Sequence, residues 1–336
     1  MSAQPNGYAP NWPFTDPHLQ SVLASSGLRG WSARRRYPDL AALAQPVLLD
    51  CGDNVRLLGF HSAQHRLPQA KGLVVLIHGW EGCADSSYLL ATGGRLLDAG
   101  FDVFRLQLRD HGDTHHLNEE LFHSCRLPEV LGAMADIARR FPTRPLLVGG
   151  FSLGGNFALR VGLHGPQQGL PLAGVVAVCP PINPKHSMEA IERAPFVYEW
   201  YFIRKWTRSL RRKQALFPQH YRFESWLRKP TLRSLTDQLV CEYTEYGHMD
   251  RYLDGYSVEG DRLAPMQVPT TILAASDDPV IPIGDFHELV VSDSTELQLT
   301  DHGGHCGYLT GPRLRSWAEE RFLGAMERYA GGAQFQ

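Results

Sequence analysis

Gly150-Phe151-Ser152-Leu153-Gly154-Gly155 is the stretch on which the reading of this chain turns. The apolar run at 145–148 reads as a buried strand, and Asn156-Phe157-Ala158-Leu159-Arg160-Val161 reads as the first turns of a helix. A serine in a strand-to-helix turn, with glycines two positions before and after it, has the pattern of a nucleophile elbow. So tight a turn puts the serine in a strained conformation and needs neighbours nearly free of side chain. Oγ is thereby pushed above the sheet, and the next backbone N–H is aimed at the same space. A G-x-S-x-G also arises by chance in loops, so its company decides.

Two further segments supply an acid and a histidine in the order this arrangement requires. Thr270-Thr271-Ile272-Leu273-Ala274-Ala275 is a short apolar strand running into Ser276-Asp277-Asp278-Pro279-Val280-Ile281-Pro282. Glu296-Leu297-Gln298-Leu299-Thr300 alternates as a strand and leads into Asp301-His302-Gly303-Gly304-His305-Cys306-Gly307-Tyr308. Serine is a weak nucleophile at its own pKa; it needs an imidazole base, and the base needs a carboxylate to fix its tautomer. Asp278, against Pro279 at the turn, is favoured as the acid, with Asp277 capping or solvating the loop. His305, on the flexible side of the glycine pair, is favoured over His302. Cys306 reads as a small packing residue.

Gly72-Leu73-Val74-Val75-Leu76-Ile77 is the most continuous apolar run and reads as a central strand buried on both faces. It ends in His78-Gly79-Trp80-Glu81-Gly82. One oxyanion donor comes from the residue after the nucleophile and the other from the loop after the third strand. That assigns the backbone N–H groups of Leu153 and Trp80, with His78 as a structural residue of the loop.

The 336 residues accommodate one large domain with an insertion, and a hydrophobic content of 43% supplies an ample core. A net charge of −2 argues against a general nucleic-acid binder. No apolar run is long enough to span a membrane, so no stable membrane insertion is expected. The opening residues lack the basic and apolar regions of a signal peptide. Six scattered cysteines show no close pair and no metal spacing, which suggests reduced thiols in a cytoplasm.

An antiparallel lead-in is expected at 46–50 and 55–61, then strands at 73–77, 103–108 and 174–178, helices at 87–99 and 127–141, and a closing helix at 312–330. This alternation predicts a mostly parallel, doubly wound α/β sheet with its site at the strand C-terminal ends. The gap from 178 to 270 is too long for an ordinary connection and reads as a helical cap. The expected organisation is a core at 1–181, a cap insertion at 182–265 and the rest of the core at 266–336.

Within the cap, Phe196, Trp200, Ile203, Trp206 and Leu210 recur at helical spacing with Arg204, Lys205, Arg208, Arg211 and Arg212 between them. The stripe packs on the core as a lid with a solvated basic face, or it lines an acyl pocket while the basic face meets anionic lipid. His111, His115, His116 and His123, with Asp110 and Asp113, invite a metal reading. Their spacing matches no metal signature, and serine chemistry needs no metal or other cofactor.

Taken together, Asp16-Pro17-His18-Leu19-Gln20, His78–Gly82, Gly150–Asn156, Cys179-Pro180-Pro181, Asp278-Pro279 and Gly303–Tyr308 make the chain resemble α/β-hydrolase-fold proteins. More narrowly it is similar to the YheT-type hydrolases and their abhydrolase relatives, over nearly its whole length. The resemblance implies Ser152, Asp278 and His305 as the triad, and esterase activity. It departs at Leu108-Arg109-Asp110-His111-Gly112-Asp113, where the family typically has an Arg-Gly pair. The expected activity is a serine esterase acting on small-molecule esters of short or medium acyl chain, without a rate jump on micelles. A lipase, a thioesterase and a non-catalytic binding protein of the same fold are the alternatives, and the oligomeric state is left open.

Overall fold

The computed structural model describes residues 7–332. Eight strands form one sheet: β1 (Gln45–Asp50), β2 (Arg56–Ser62), β3 (Leu73–Ile77), β4 (Asp102–Gln107), β5 (Leu146–Phe151), β6 (Leu172–Val178), β7 (Thr270–Ala275) and β8 (Thr295–Thr300). Their spatial order is β1-β2-β4-β3-β5-β6-β7-β8. β2 runs antiparallel to both its neighbours, β1 and β4, and every pair from β4 to β8 is parallel. The mostly parallel sheet and its antiparallel lead-in are as expected from the sequence.

Helices cover both faces, so the central strands read as unbroken apolar runs. Every residue of β3 and β5 is buried. Alternate residues of β3 enter different cores. Leu73, Val75 and Ile77 pack with Met134 of α5 (Leu127–Arg140) and Phe157 of α6 (Leu153–His164). Val74 and Leu76 pack with Leu89 of α4 (Ser87–Asp98) and Phe322 of α12 (Trp317–Gly332). The closing helix begins at Trp317 rather than 312, because Leu314 adopts φ 51° and the chain first pairs Leu309 with Ser316.

Three short helices precede the sheet: α1 (Pro17–Ala24), α2 (Gly27–Arg36) and α3 (Pro38–Ala42). Asp16 and Ser26 cap the first two by accepting the backbone N–H groups of Leu19 and Arg29. Between β6 and β7 lie α7 (Pro184–Arg193), α8 (Val197–Leu216), α9 (Leu232–Tyr243) and α10 (Met249–Asp254), and α11 (Gly284–His287) follows β7. Among the described residues no helix is long and apolar enough to cross a membrane.

Candidate active site

Ser152 stands between β5 and α6 with φ 52° and ψ −126°, a conformation that costs an L-residue energy. The glycines around it are required. A Cβ on Gly150 would lie 2.2 Å from the Gly154 carbonyl oxygen, and one on Gly154 would lie 2.2 Å from that of Ile77. The elbow therefore packs backbone against backbone, and the serine side chain is left projecting from the C-terminal edge of the sheet.

Asp278 follows β7 and His305 follows β8, so both reach the same edge. Ser152 Oγ lies 2.9 Å from His305 Nε2, and His305 Nδ1 lies 2.9 Å from Asp278 Oδ2. An ionised Asp278 only accepts, so Nδ1 carries the proton and Nε2 is free to accept from the serine hydroxyl. Asp278 Oδ1 accepts the N–H groups of Val280 and Ile281, which locks the carboxylate in place. Burial disfavours a charged ring, but the Asp278 carboxylate and the Cys306 sulfur hold the His305 pKa well above the usual imidazole value.

The neighbouring pair is also resolved. Asp277 Oδ1 accepts the Gly304 N–H at 2.8 Å, and its Oδ2 lies 3.2 Å from His302 Nδ1. Burial raises the Asp277 carboxyl above its ordinary value. His302 lies beyond the end of β8, and neither member of this pair has a described hydrogen bond to Ser152.

The loop after β3 passes close to the serine: a Cβ on Gly79 would lie 3.2 Å from Ser152 Cβ. Trp80 and Leu153 both border the cavity at Ser152. His78 accepts the Leu108 N–H on Nε2 at 3.1 Å and donates from Nδ1 to the Gly79 carbonyl at 2.7 Å. Its burial holds the ring neutral, in keeping with a structural role.

Two cavities meet at Ser152. The first, about 110 Å³, is apolar and includes Trp80, Met188, Ile191, Phe202, Trp206 and Leu239 in its wall. Trp80 stacks on Phe202 at 5.3 Å and meets Trp206 edge-on at 5.1 Å. The second, about 250 Å³, is more polar and lies among Ser26, Gly27, Arg34, Glu81, Lys205 and His305.

The aromatic stripe expected from the sequence splits in two. Trp206 and Leu210 are buried, whereas Phe196 and Trp200 are 83% and 51% exposed. The basic face is not simply solvated either: Lys205 donates to the Glu81 carbonyl, and Arg212 binds Asp113. Lys213, absent from the sequence reading, is fully buried and donates to Asp110 Oδ1 and to the carbonyls of His115, Asn118 and Glu120. It thereby binds α8 to the loop that follows β4. In that loop Arg109 makes a two-pronged contact with Glu129 at 3.0 and 2.6 Å.

The histidines of that loop have separate surroundings. His111 Nδ1 lies 2.6 Å from the Arg109 carbonyl, His115 Nε2 lies 2.7 Å from Ser209 Oγ, and His123 enters the apolar cavity wall. Burial pushes His111 down to about 4, and His115 and His123 down to about 3, favouring neutral rings. Metal-type donor atoms instead converge at Cys179, His305 and Cys306, all within 4.8 Å of one another. The two cysteines are distant in sequence, so no spacing signal could have paired them.

Sequence reasoning also missed how α1 supports the site. Ser21 Oγ accepts the backbone N–H of His305 at 2.8 Å, and Gln20 Oε1 accepts that of Leu309 at 2.7 Å. Gly304, with φ 53°, lets the two segments touch, since a Cβ there would lie 2.5 Å from the Pro17 carbonyl oxygen. The Asp16–Gln20 motif was the available signal.

Comparison with known proteins agrees with this architecture. The chain is 25% identical over 318 residues to "Putative esterase YheT" of Escherichia coli (strain K12), covering 92% of this chain and 89% of that protein. It is 26% identical over 341 residues to "Putative esterase slr0264" of Synechocystis, covering 90% and 89%. Among solved structures, the Pyrococcus furiosus esterase Pf2001 superposes with a TM-score of 0.57 at 15% identity, over 88% of this chain and 96% of that one. Residues 68–308 match the serine aminopeptidase S33 family, Hydrolase_4. The chain belongs to that family of α/β hydrolases.

Proposed function

We propose that this protein is a serine hydrolase that cleaves carboxylic esters of short or medium acyl chain through an acyl-enzyme intermediate. The observation that carries the reading is the continuous Ser152–His305–Asp278 chain, with both links at 2.9 Å, beside an apolar cavity. Residues 182–265 serve as the cap over the site. Six free thiols support a reducing, cytoplasmic compartment.

In this reading His305 Nε2 takes the Ser152 proton as Oγ attacks the ester carbonyl. The tetrahedral oxyanion rests on the N–H groups of Leu153 and Trp80; among the described residues neither donates to a protein acceptor. Each such donor contributes on the order of 3–4 kcal/mol. The alcohol leaves with the proton from His305, and water repeats the sequence to release the acid. The acyl chain occupies the apolar cavity and the alcohol departs through the polar one.

A fluorophosphonate probe and a p-nitrophenyl ester series test this directly. Ser152→Ala should remain folded, lose covalent labelling and lose ester turnover by a factor on the order of 10⁶. Labelling retained at another serine would overturn the assignment.

A further inference from the structure

We propose that the outward faces of α2 and α8 form a docking surface for an anionic lipid membrane, with the polar cavity opening inside its footprint. The proposal extends the hydrolytic reading by naming where the ester enters, and it rests on that reading only for this point.

α8 has two faces of opposite destiny. Tyr198, Trp206, Leu210 and Lys213 point inward and are buried. Phe196, Val197, Trp200, Tyr201, Arg204 and Arg208 lie on the other side and are exposed. α2 repeats the chemistry: Leu28 and Trp31 are 68% and 59% exposed, and Arg35 continues the same face one turn on. Scattered surface leucines need no explanation, but aromatic side chains gathered on two neighbouring helices do.

The two helices flank one opening. Gly27, Gly30 and Arg34 of α2 face Tyr201, Phe202 and Lys205 of α8 across the polar cavity that reaches Ser152. α1, which leads into α2, is held to α8 by His18 Nδ1 and the Tyr198 hydroxyl at 2.9 Å. A lipid surface covering this face would therefore cover the entrance.

Charge selects the occupant. Three of the exposed aromatics have a cation over their rings: Arg35 on Trp31 at 4.8 Å, Arg204 on Trp200 at 5.3 Å and Lys205 on Tyr201 at 4.8 Å. Of the nearby acids, Glu199 accepts the Leu232 N–H, and Asp85 is shared between Arg105 at 2.7 Å and Arg34 of α2 at 3.9 Å. Aromatic rings beside guanidinium groups suit a headgroup boundary, where rings sink and cations meet phosphate. A second copy of this chain would fit poorly, because a two-fold contact would set these cations against their equivalents.

The test uses Ser152→Ala protein, so that lipid is not consumed, sedimented with vesicles of equal parts phosphatidylglycerol and phosphatidylcholine or of phosphatidylcholine alone. The anionic vesicles should retain about tenfold more protein, and roughly 0.5 M salt should remove most of it because screening shortens the range of the attraction. Trp31→Ser with Trp200→Ser, and separately Arg35→Glu with Arg204→Glu, should each abolish binding. The same pairs placed in the active enzyme should leave hydrolysis of soluble p-nitrophenyl butyrate within about twofold, since these side chains lie outside both cavities. Failure to bind anionic vesicles, equal binding to neutral ones, or a dimer that Trp200→Ser dissolves would overturn the proposal. Selective vesicle binding without any soluble esterase activity would support docking and overturn the hydrolytic reading alone.

Discussion

Ser21 accepts the backbone N–H of His305 across a sequence separation of 284, so an N-terminal helix sets the position of the imidazole. Gly303 and Gly304 bring no side chain of their own to fix the loop, so contacts such as Ser21 with the His305 N–H and Asp277 with the Gly304 N–H hold it in place. Ser21→Ala should lower kcat about fivefold with little change in KM, the cost of one hydrogen bond that orders the base. Steady-state kinetics on a soluble ester would show the split, and a rise in KM at constant kcat would contradict it.

The adjacent carboxylates should be separable by mutation. Asp278→Asn should cost several orders of magnitude in kcat, because an amide can present its NH₂ to Nδ1 and favour the wrong tautomer. Asp277→Asn should cost far less, since its partners are the Gly304 N–H and His302. A larger loss at Asp277 than at Asp278 would reverse their assignment.

The rate should depend on pH through His305. Its raised pKa means the ring keeps its proton to higher pH than a free imidazole, and only the neutral ring can take the serine proton. Activity should therefore fall with decreasing pH through a midpoint above about 6.5. The sulfur of Cys306 helps to hold that proton, so Cys306→Ser should move the midpoint downward. An unchanged profile in the variant would show that thiol and imidazole titrate independently.

Chain-length preference should answer to Trp206 rather than Trp200. Each buried methylene adds about 0.8 kcal/mol, roughly fourfold in kcat/KM, until the chain outgrows the cavity. Trp206→Ala should shift the optimum to longer acyl chains, whereas Trp200→Ala should leave a profile measured on soluble p-nitrophenyl esters unaltered. An equal shift in both variants would place the acyl chain elsewhere.

What the sequence revealed and what it hid follow from the range of the interactions. Ser152, Asp278 and His305 were each marked by local signals: a strand that ends, a glycine pair, a proline. Cys179 and Cys306 meet only because β6 and the loop after β8 converge, which no spacing records. α8 misled for a different reason. Trp200 and Trp206 are six residues apart, about 120° around a helix, and arginine stems between them blur which arc is apolar. The phase of the stripe became plain only once Tyr198 and Lys213 were seen to point inward with Trp206 and Leu210. The N-terminal helices were hidden in another way, since their role lies in distant contacts such as Gln20 with Leu309.

Lys213 carries a mechanical consequence. Its ammonium is spent entirely within the protein, on one carboxylate and three carbonyls of the loop after β4. Swinging α8 away on a hinge would strand a buried charge at a cost on the order of 3–5 kcal/mol, so the helix behaves as a riveted beam. Passage to the serine then depends on small side-chain motions at a permanent doorway, and turnover should carry no slow gating phase.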